Sequence, residues 1–250
     1  NNQLTMNIDD YIKQPSEIKK ELQTFFNPDD KIVIFDIGAC EGEDSIRYSN
    51  MFPNSKIYSF EPVEENYKKL ENNILRYDKK NIFPYKEALS DKVGTANLHV
   101  PSGRPKGISS SETWDYGNKS SSLLVPSNEI KKQFNWLEFN RKEQVATNTI
   151  KNFANSVGLN TIDFLHIDVQ GAELMVLNGA QEMLSNIKII WMEVEKVELY
   201  KQQPLKKSIE KYMKLNNFRK YKDTVNKISG DQLYINKDLS LIHISEPTRP

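Results

Sequence analysis

Four places in the chain combine residue types that do chemistry. The first is Asp36-Ile37-Gly38-Ala39-Cys40-Glu41-Gly42-Glu43-Asp44-Ser45. Two glycines four apart permit a tight turn and a close backbone approach to a ligand. The acids Glu41, Glu43 and Asp44 would repel a pyrophosphate and suit a cation instead, and the close-set GxGxxG of dinucleotide sites is absent. The second is Glu61-Pro62, 25 residues after Asp36, where an acid is placed to accept hydrogen bonds from both hydroxyls of a ribose. The third is an acidic group: Asp168 with Glu173 one helical turn on, then Glu193 and Glu195, with His166 two residues before Asp168. On a strand that spacing puts His166 and Asp168 on one face, ~6–7 Å apart. The fourth is the Ser- and Gly-rich stretch from Pro101 to Asn128, punctuated by Arg104, Lys106, Trp114 and Tyr116.

The elements that must position these residues are strands alternating with helices. KIVIFDIG, KIYSF, IDFLHIDV and IKIIWMEV are short, nearly continuous apolar runs with acids at or near their carboxyl ends, the pattern of strands buried on both faces of a parallel sheet. Amphipathic stripes lie between them: Tyr67, Leu70 and Ile74; Leu174, Leu177, Ala180 and Leu184; Leu205, Ile209, Tyr212 and Met213. FRKYKDTVNKISGDQLYINK predicts an antiparallel edge pair joined through Ser229-Gly230-Asp231. The expectation is a doubly wound, Rossmann-like α/β domain over residues 31–238 with one mostly parallel sheet. Ligands of such sheets bind at the carboxyl ends of the strands, where strand order reverses.

Residues 1–30 read as a helical extension, two short pieces split at Pro15-Ser16 and packed on the edge of the domain without a chemical signature. Residues 239–250, LSLIHISEPTRP, resemble a translated sequencing-library adapter, so His243 and Glu246 are set aside as non-native. Thirty-four basic and 34 acidic residues cancel, which removes the general electrostatic case for nucleic acid or an anionic membrane as partner. No apolar run approaches the ~18–20 residues of a membrane span. A single cysteine, Cys40, excludes an intrachain disulfide and a multi-thiolate zinc site, and fits a cytoplasmic setting.

A ligand with a sulfonium and an ammonium, S-adenosylmethionine, matches an acidic first loop with a ribose acid downstream. IFDIGACEGEDS, YSFEPVEENYKKLENN, EALSDKVGTANLHVPSG, SSSLL and IDFLHIDVQGAEL occur in that order and together resemble the FkbM family of methyltransferases from about Ile32 to Lys237. The resemblance implies a seven-stranded class I methyltransferase fold, S-adenosylmethionine as donor, and a hydroxyl acceptor on a sugar, glycan or other small molecule. It implies that Asp36, Gly38, Ala39 and Gly42 line the methionine end, with Asp44 and Ser45 beginning the following helix. Glu61, with Pro62, would hold the ribose, and Ala88 to Asp91 would lie beside the adenine. Cys40 stands where the family commonly has Asn, and His166 where it commonly has Lys.

Moving a methyl group onto a hydroxyl needs in-line positioning and a destination for the proton. Three roles for the acids stay open: Asp168 and Glu193, with or without Glu195, holding Mg²⁺ against the acceptor oxygen; His166 or Asp168 acting directly as base; or Asp168 only orienting its ligands around a satisfied core histidine. The Pro101–Asn128 stretch is long enough for a lid, with Trp114 and Tyr116 to stack on a sugar and Ser120, Ser121 and Ser122 to offer hydroxyls. The rival outside enzymology is a non-catalytic nucleoside-binding module of a glycan-assembly protein.

Overall fold

The computed structural model describes residues 7–107 and 116–238. Helices α1 (Ile8–Lys13) and α2 (Lys19–Phe25) precede β1 (Val33–Ile37), α3 (Glu43–Met51), β2 (Lys56–Phe60), α4 (Glu64–Arg76) and β3 (Ile82–Tyr85). Next come β4 (Ala88–Leu89), β5 (Gly94–Ser102), α5 (Asn128–Gln133), β6 (Glu138–Asn148) and α6 (Ile150–Ser156). The chain then runs through β7 (Ile162–Ile167), α7 (Glu173–Ala180), β8 (Ile187–Glu195), α8 (Lys206–Leu215), β9 (Phe218–Asp223) and β10 (Ser229–Asn236).

Seven strands form the main sheet in the order β3-β2-β1-β7-β8-β10-β9. The first five are parallel, and β10 pairs antiparallel with both β8 and β9. The chain builds outward from β1 through β2 to β3, then returns to add β7 on the other side of β1. Strand order therefore reverses between β1 and β7, where a ligand crevice is expected. The edge pair forms as the sequence indicated, but its turn lies earlier. Residues 224–228 make the reversal, while Ser229, Gly230 and Asp231 lie within β10 opposite Glu195, Val194 and Glu193. A Cβ on Gly230 would sit 2.6 Å from the Val225 Cα, so the glycine admits the returning chain rather than forming its turn.

Period-two alternation divides the strands between two cores. Phe35, Ile37, Leu165 and Ile167 face α6 and α7, packing with Phe153, Val176 and Leu177. Ile34 and Phe164 face the other way, packing with Ile46, Tyr48 and Phe52 of the α3 segment. Asp36 and His166, paired in register on β1 and β7, continue that second face, so two polar side chains lie beneath α3. Ile18, Leu22 and Phe26 of the α2 segment belong to the same core. The sequence did not announce a second sheet, β4-β6-β5, inserted between β3 and β7; its β5–β6 ribbon carries the chain out to the Ser-rich stretch and back. Among the described residues no helix is long and apolar enough to cross a membrane.

Candidate active site

The carboxyl ends of β1, β2 and β7 enclose a cavity whose empty space, its open mouth included, is about 510 Å³. Its apolar lining comprises Phe60, Pro62, Ala88, Leu89, Leu98 and Leu123 among others, and Gly38, Cys40, Lys119 and Asp168 also line it. Gly38 has a left-handed φ of 86°, and a Cβ there would fall 1.9 Å from the Asp168 carbonyl oxygen. Only a hydrogen atom fits. The N–H groups of Gly38 and Ala39 both donate to the Phe60 carbonyl, at 3.0 and 2.9 Å, binding the loop to the end of β2.

Glu61 completes this frame. Its two carboxylate oxygens accept from Cys40 N at 2.8 Å and Val63 N at 2.7 Å. Burial pushes its carboxyl up to about 8 against those two bonds. Each oxygen keeps a second lone pair for a ligand hydroxyl. Of the residues assigned to the cofactor, Gly38, Glu61, Pro62 and Ala88 line the cavity; Asp36, Ala39, Asp44 and Ser45 lie behind its wall. Gly42 sits at a left-handed φ of 85°, which favours glycine, and packs on α4, where a Cβ would lie 2.5 Å from Leu70 Cδ1. Asp91 is exposed and accepts from the Ser90 hydroxyl at 3.2 Å, so Leu89 rather than Asp91 joins Ala88 in the apolar wall.

Behind the loop lies a buried polar network. Ser45 Oγ donates to Asp36 at 2.5 Å and lies 2.6 Å from Ser59 Oγ. His166 Nδ1 is 3.2 Å from Asp36 Oδ1 and 3.2 Å from the Tyr48 hydroxyl. Burial works against charge on the imidazole, but the Asp36 hydrogen bond and the charges of Asp36, Asp44 and Asp168 outweigh it and raise His166 to about 9. The ring is thus already protonated at neutral pH and committed through Nδ1. This corrects the expectation of His166 as a base. Asp44 is pushed up to about 6 by burial; it accepts from Arg47 at 3.1 Å and from the Tyr11 hydroxyl at 3.3 Å. Arg47 also lies over the Tyr11 ring, 4.4 Å from its centre. Helix α1 is therefore tied into this network, contrary to its reading as chemically silent.

At the cavity mouth, the Gln170 side-chain nitrogen donates to Asp168 Oδ1 and Glu193 Oε2, both at 2.7 Å. Gln170 is held at a left-handed φ of 55°, a conformation costly for a residue with a Cβ and often found where a site is over-determined. Asp168 opens to solvent on one side, yet the protein mass around it raises its carboxyl, with the Asp36 charge adding to this and Gln170 and His166 opposing. Glu193 is raised well above the carboxylate range, first by burial, then by Asp168, Glu195 and Glu173. Both members of the pair are thus held above the ordinary carboxylate range, chiefly by burial. Glu173 turns its carboxylate back to the N–H groups of Val169 and Gly171, both at 3.2 Å, and Glu195 is buried.

The expected magnesium site does not assemble. Gln170 places a hydrogen-bond donor between Asp168 and Glu193 where a cation would need their oxygens. Among the described residues no group of three or more His, Cys, Asp or Glu has the geometry of a metal site.

Residues 36–220 match the sequence profile of the methyltransferase FkbM domain family. The chain belongs to the FkbM methyltransferase family. Over 171 residues it is 31% identical to the 2-O-methyltransferase NoeI of Sinorhizobium fredii (strain NBRC 101917 / NGR234), covering 68% of this chain and 66% of that protein. The crystal structure of methyltransferase FkbM from Methylobacillus flagellatus KT superposes with a TM-score of 0.53 at 12% identity, over 92% of this chain and 50% of that one. This chain thus spans about two-thirds of the curated relative and half of the solved one.

The FkbM cofactor fits what is present: a cradle a Cβ would fill at Gly38, a ribose-height acid in Glu61 and an apolar wall for a base. Sequence reasoning missed Lys119, Gln170 and Tyr11. Lys119 was an isolated lysine in a Ser-rich stretch, Gln170 an uncharged residue between acids, and Tyr11 one member of an apolar stripe. The stretch expected to form a lid divides. Trp114 falls outside the described residues, as do residues 239–250, while 116–127 pack onto the domain. Ser122 Oγ donates to the Gln170 carbonyl at 2.7 Å and Ser121 Oγ to the Asn118 carbonyl at 2.6 Å. Those hydroxyls hold the loop in place and are not offered to an acceptor.

Proposed function

We propose that this FkbM-family chain transfers a methyl group from S-adenosylmethionine to a hydroxyl of a sugar, glycan or other small hydroxylated acceptor. The observation that carries the reading is the cavity at the β1/β7 reversal, lined by Gly38, Glu61 and Asp168. When bound, the cofactor supplies a methyl group on a sulfonium centre. The chain's own part is to position and to take a proton. Gly38, Glu61, Pro62 and Ala88 would hold the adenosine and its methionine arm, and Asp36, Asp44 and Ser45 stiffen the loop from behind. Asp168, its basicity raised by its surroundings, accepts the acceptor hydroxyl's proton, while Gln170, shared with Glu193, holds it in register. His166 stays protonated and balances the buried charge of Asp36. The similarity to NoeI, named as a 2-O-methyltransferase, supports oxygen as the methylated atom.

The test is label transfer from methyl-labelled S-adenosylmethionine into a panel of hydroxylated acceptors, with and without a chelator. Turnover should survive chelation, and Asp168→Asn should lower kcat by ~10²–10⁴ with S-adenosylhomocysteine affinity unchanged. Wild-type turnover by Asp168→Asn, or a methyl group located on nitrogen or carbon of the product, would overturn the assignment. Binding without turnover on any acceptor would favour the non-catalytic module.

A further inference from the structure

Helix α4 turns three residues inward, Asn66, Leu70 and Asn73, the i, i+4, i+7 spacing of one helix face. Two of them hold the loop after β1. Leu70 is the side chain that a Cβ on Gly42 would strike, and Asn73 Nδ2 donates to the Glu41 carbonyl at 2.8 Å. Asn66 has a different setting. It is 1% exposed and lines the cavity, and its Oδ1 is buried with no hydrogen-bond partner among the described residues. Buried side-chain oxygens are nearly always paired, because losing water without gaining a new bond is costly. An acceptor left in this state on a cavity lining marks where a ligand's donor belongs.

Its position in the chain says which donor. Asn66 stands in the first turn of α4, five residues after Glu61. The Val63 N–H that opens this turn donates to Glu61 Oε1 at 2.7 Å, so Glu61 and the turn carrying Asn66 form one rigid piece. Glu61 Oε2 in its turn accepts from Cys40 N at 2.8 Å, so each carboxylate oxygen is already part-used by the backbone. A ribose brings two adjacent hydroxyls, each with one O–H to donate. Glu87, another acid on the lining, takes the Asn148 amide on both oxygens, at 3.1 and 3.2 Å. Pro62, Ala88 and Leu89 add only apolar side chains, which suit the flat face of a base.

We propose that Asn66 is the second half of the ribose site, its Oδ1 accepting from one ribose hydroxyl while Glu61 accepts from the other. This rests on S-adenosylmethionine being the donor, and it divides between two side chains a diol that spacing alone assigns to Glu61. The two hydroxyls are then read as a pair. A ligand lacking either one leaves a buried acceptor unpaired, which is how a site rejects an analogue that is missing a hydroxyl.

The test is calorimetric titration of the full chain with S-adenosylhomocysteine and with its 2′-deoxy and 3′-deoxy analogues, alongside melts of the unliganded protein. Wild type should bind both analogues more weakly than the parent, by roughly 3- to 10-fold for the hydroxyl on the amide and by more for the one on the carboxylate. Asn66→Leu, close to the native side chain in volume, should bind S-adenosylhomocysteine about as weakly as wild type binds the first analogue. It should no longer distinguish that analogue from the parent, yet still reject the other. Asn66→Ala, which cannot crowd the cavity, should give the same pattern. Without ligand, Asn66→Leu should melt at or above the wild-type temperature, because it removes a buried oxygen that has no partner. Unchanged S-adenosylhomocysteine binding in both variants would overturn the inference. So would equal weakening of all three ligands with a lowered melting temperature, which would make Asn66 a structural residue. If the variants instead lost their discrimination against the deaminated analogue S-inosylhomocysteine, the amide would read the base and the inference would fall. Failure of the wild-type chain to bind S-adenosylhomocysteine at all would overturn the donor assignment on which the inference rests.

Discussion

His166 shows how a single side chain's environment changes its role. An unfolded histidine titrates near ~6.5, whereas here Asp36 and the surrounding carboxylates hold it at about 9 against the penalty of burial. Because the folded value lies above the unfolded one, protonation favours the fold. The stabilisation is complete below about pH 6.5 and is lost as pH rises through about 9. The wild-type melting temperature should therefore fall across that window. His166→Gln should be destabilised by about 3 kcal/mol at pH 6, the cost of leaving one member of a buried pair alone. Its deficit should narrow by pH 9.5, as read by calorimetric or dichroism melts. Parallel curves for the two proteins would mean that His166 is neutral in the fold. Gln170 acts at the same scale by a different means, one amide nitrogen joining two carboxylates that would otherwise repel.

The elements differ in how far the sequence revealed them. Strands β1, β2, β7 and β8 were legible because burial on both faces leaves few polar residues until the strand ends, where the candidate site acids stand. Strand β6 was not legible: four of the eleven residues of EFNRKEQVATN are charged, and only Val145 and Thr147 are buried, near its carboxyl end. Glu61 was legible from its spacing after Asp36 and Ala88 from the family resemblance, whereas Lys119 comes from a turn whose position depends on contacts with Tyr200, remote in sequence. Helices α1 and α2 were seen as helices, but their unequal importance was not. Ile18 and Leu22 are fully buried in the core beneath α3, while α1 contributes chiefly Tyr11 and the contacts of Asp9 with Arg76 and Tyr77. Deleting residues 1–13 should leave a cooperative fold that melts several degrees lower, consistent with losing ~1–3 kcal/mol. Deleting residues 1–26 should abolish cooperative melting, since fully burying each large apolar side chain contributes ~1.5–3 kcal/mol. Equal stability of the two truncations would contradict this division.

Over the whole molecule, the reversal of strand order between β1 and β7 brings separate stretches of chain to one crevice. Gly38 and Asp168 meet there across adjacent strand ends, Glu61 closes the side, and the chain beyond β5 supplies Lys119 from above. With 34 charges of each sign, the molecule has no net field to gather ligands, so recognition rests on this local arrangement. A ligand that binds only the folded chain raises its stability by ~2.7 kcal/mol at one hundred times its Kd, so occupancy of the crevice should be readable in the melting temperature as well as in heat. The direct measurement is calorimetric titration of the purified chain with S-adenosylhomocysteine, with NADH as control. The account predicts micromolar, one-to-one binding of S-adenosylhomocysteine and none of NADH; a folded chain that binds no S-adenosylhomocysteine would contradict it.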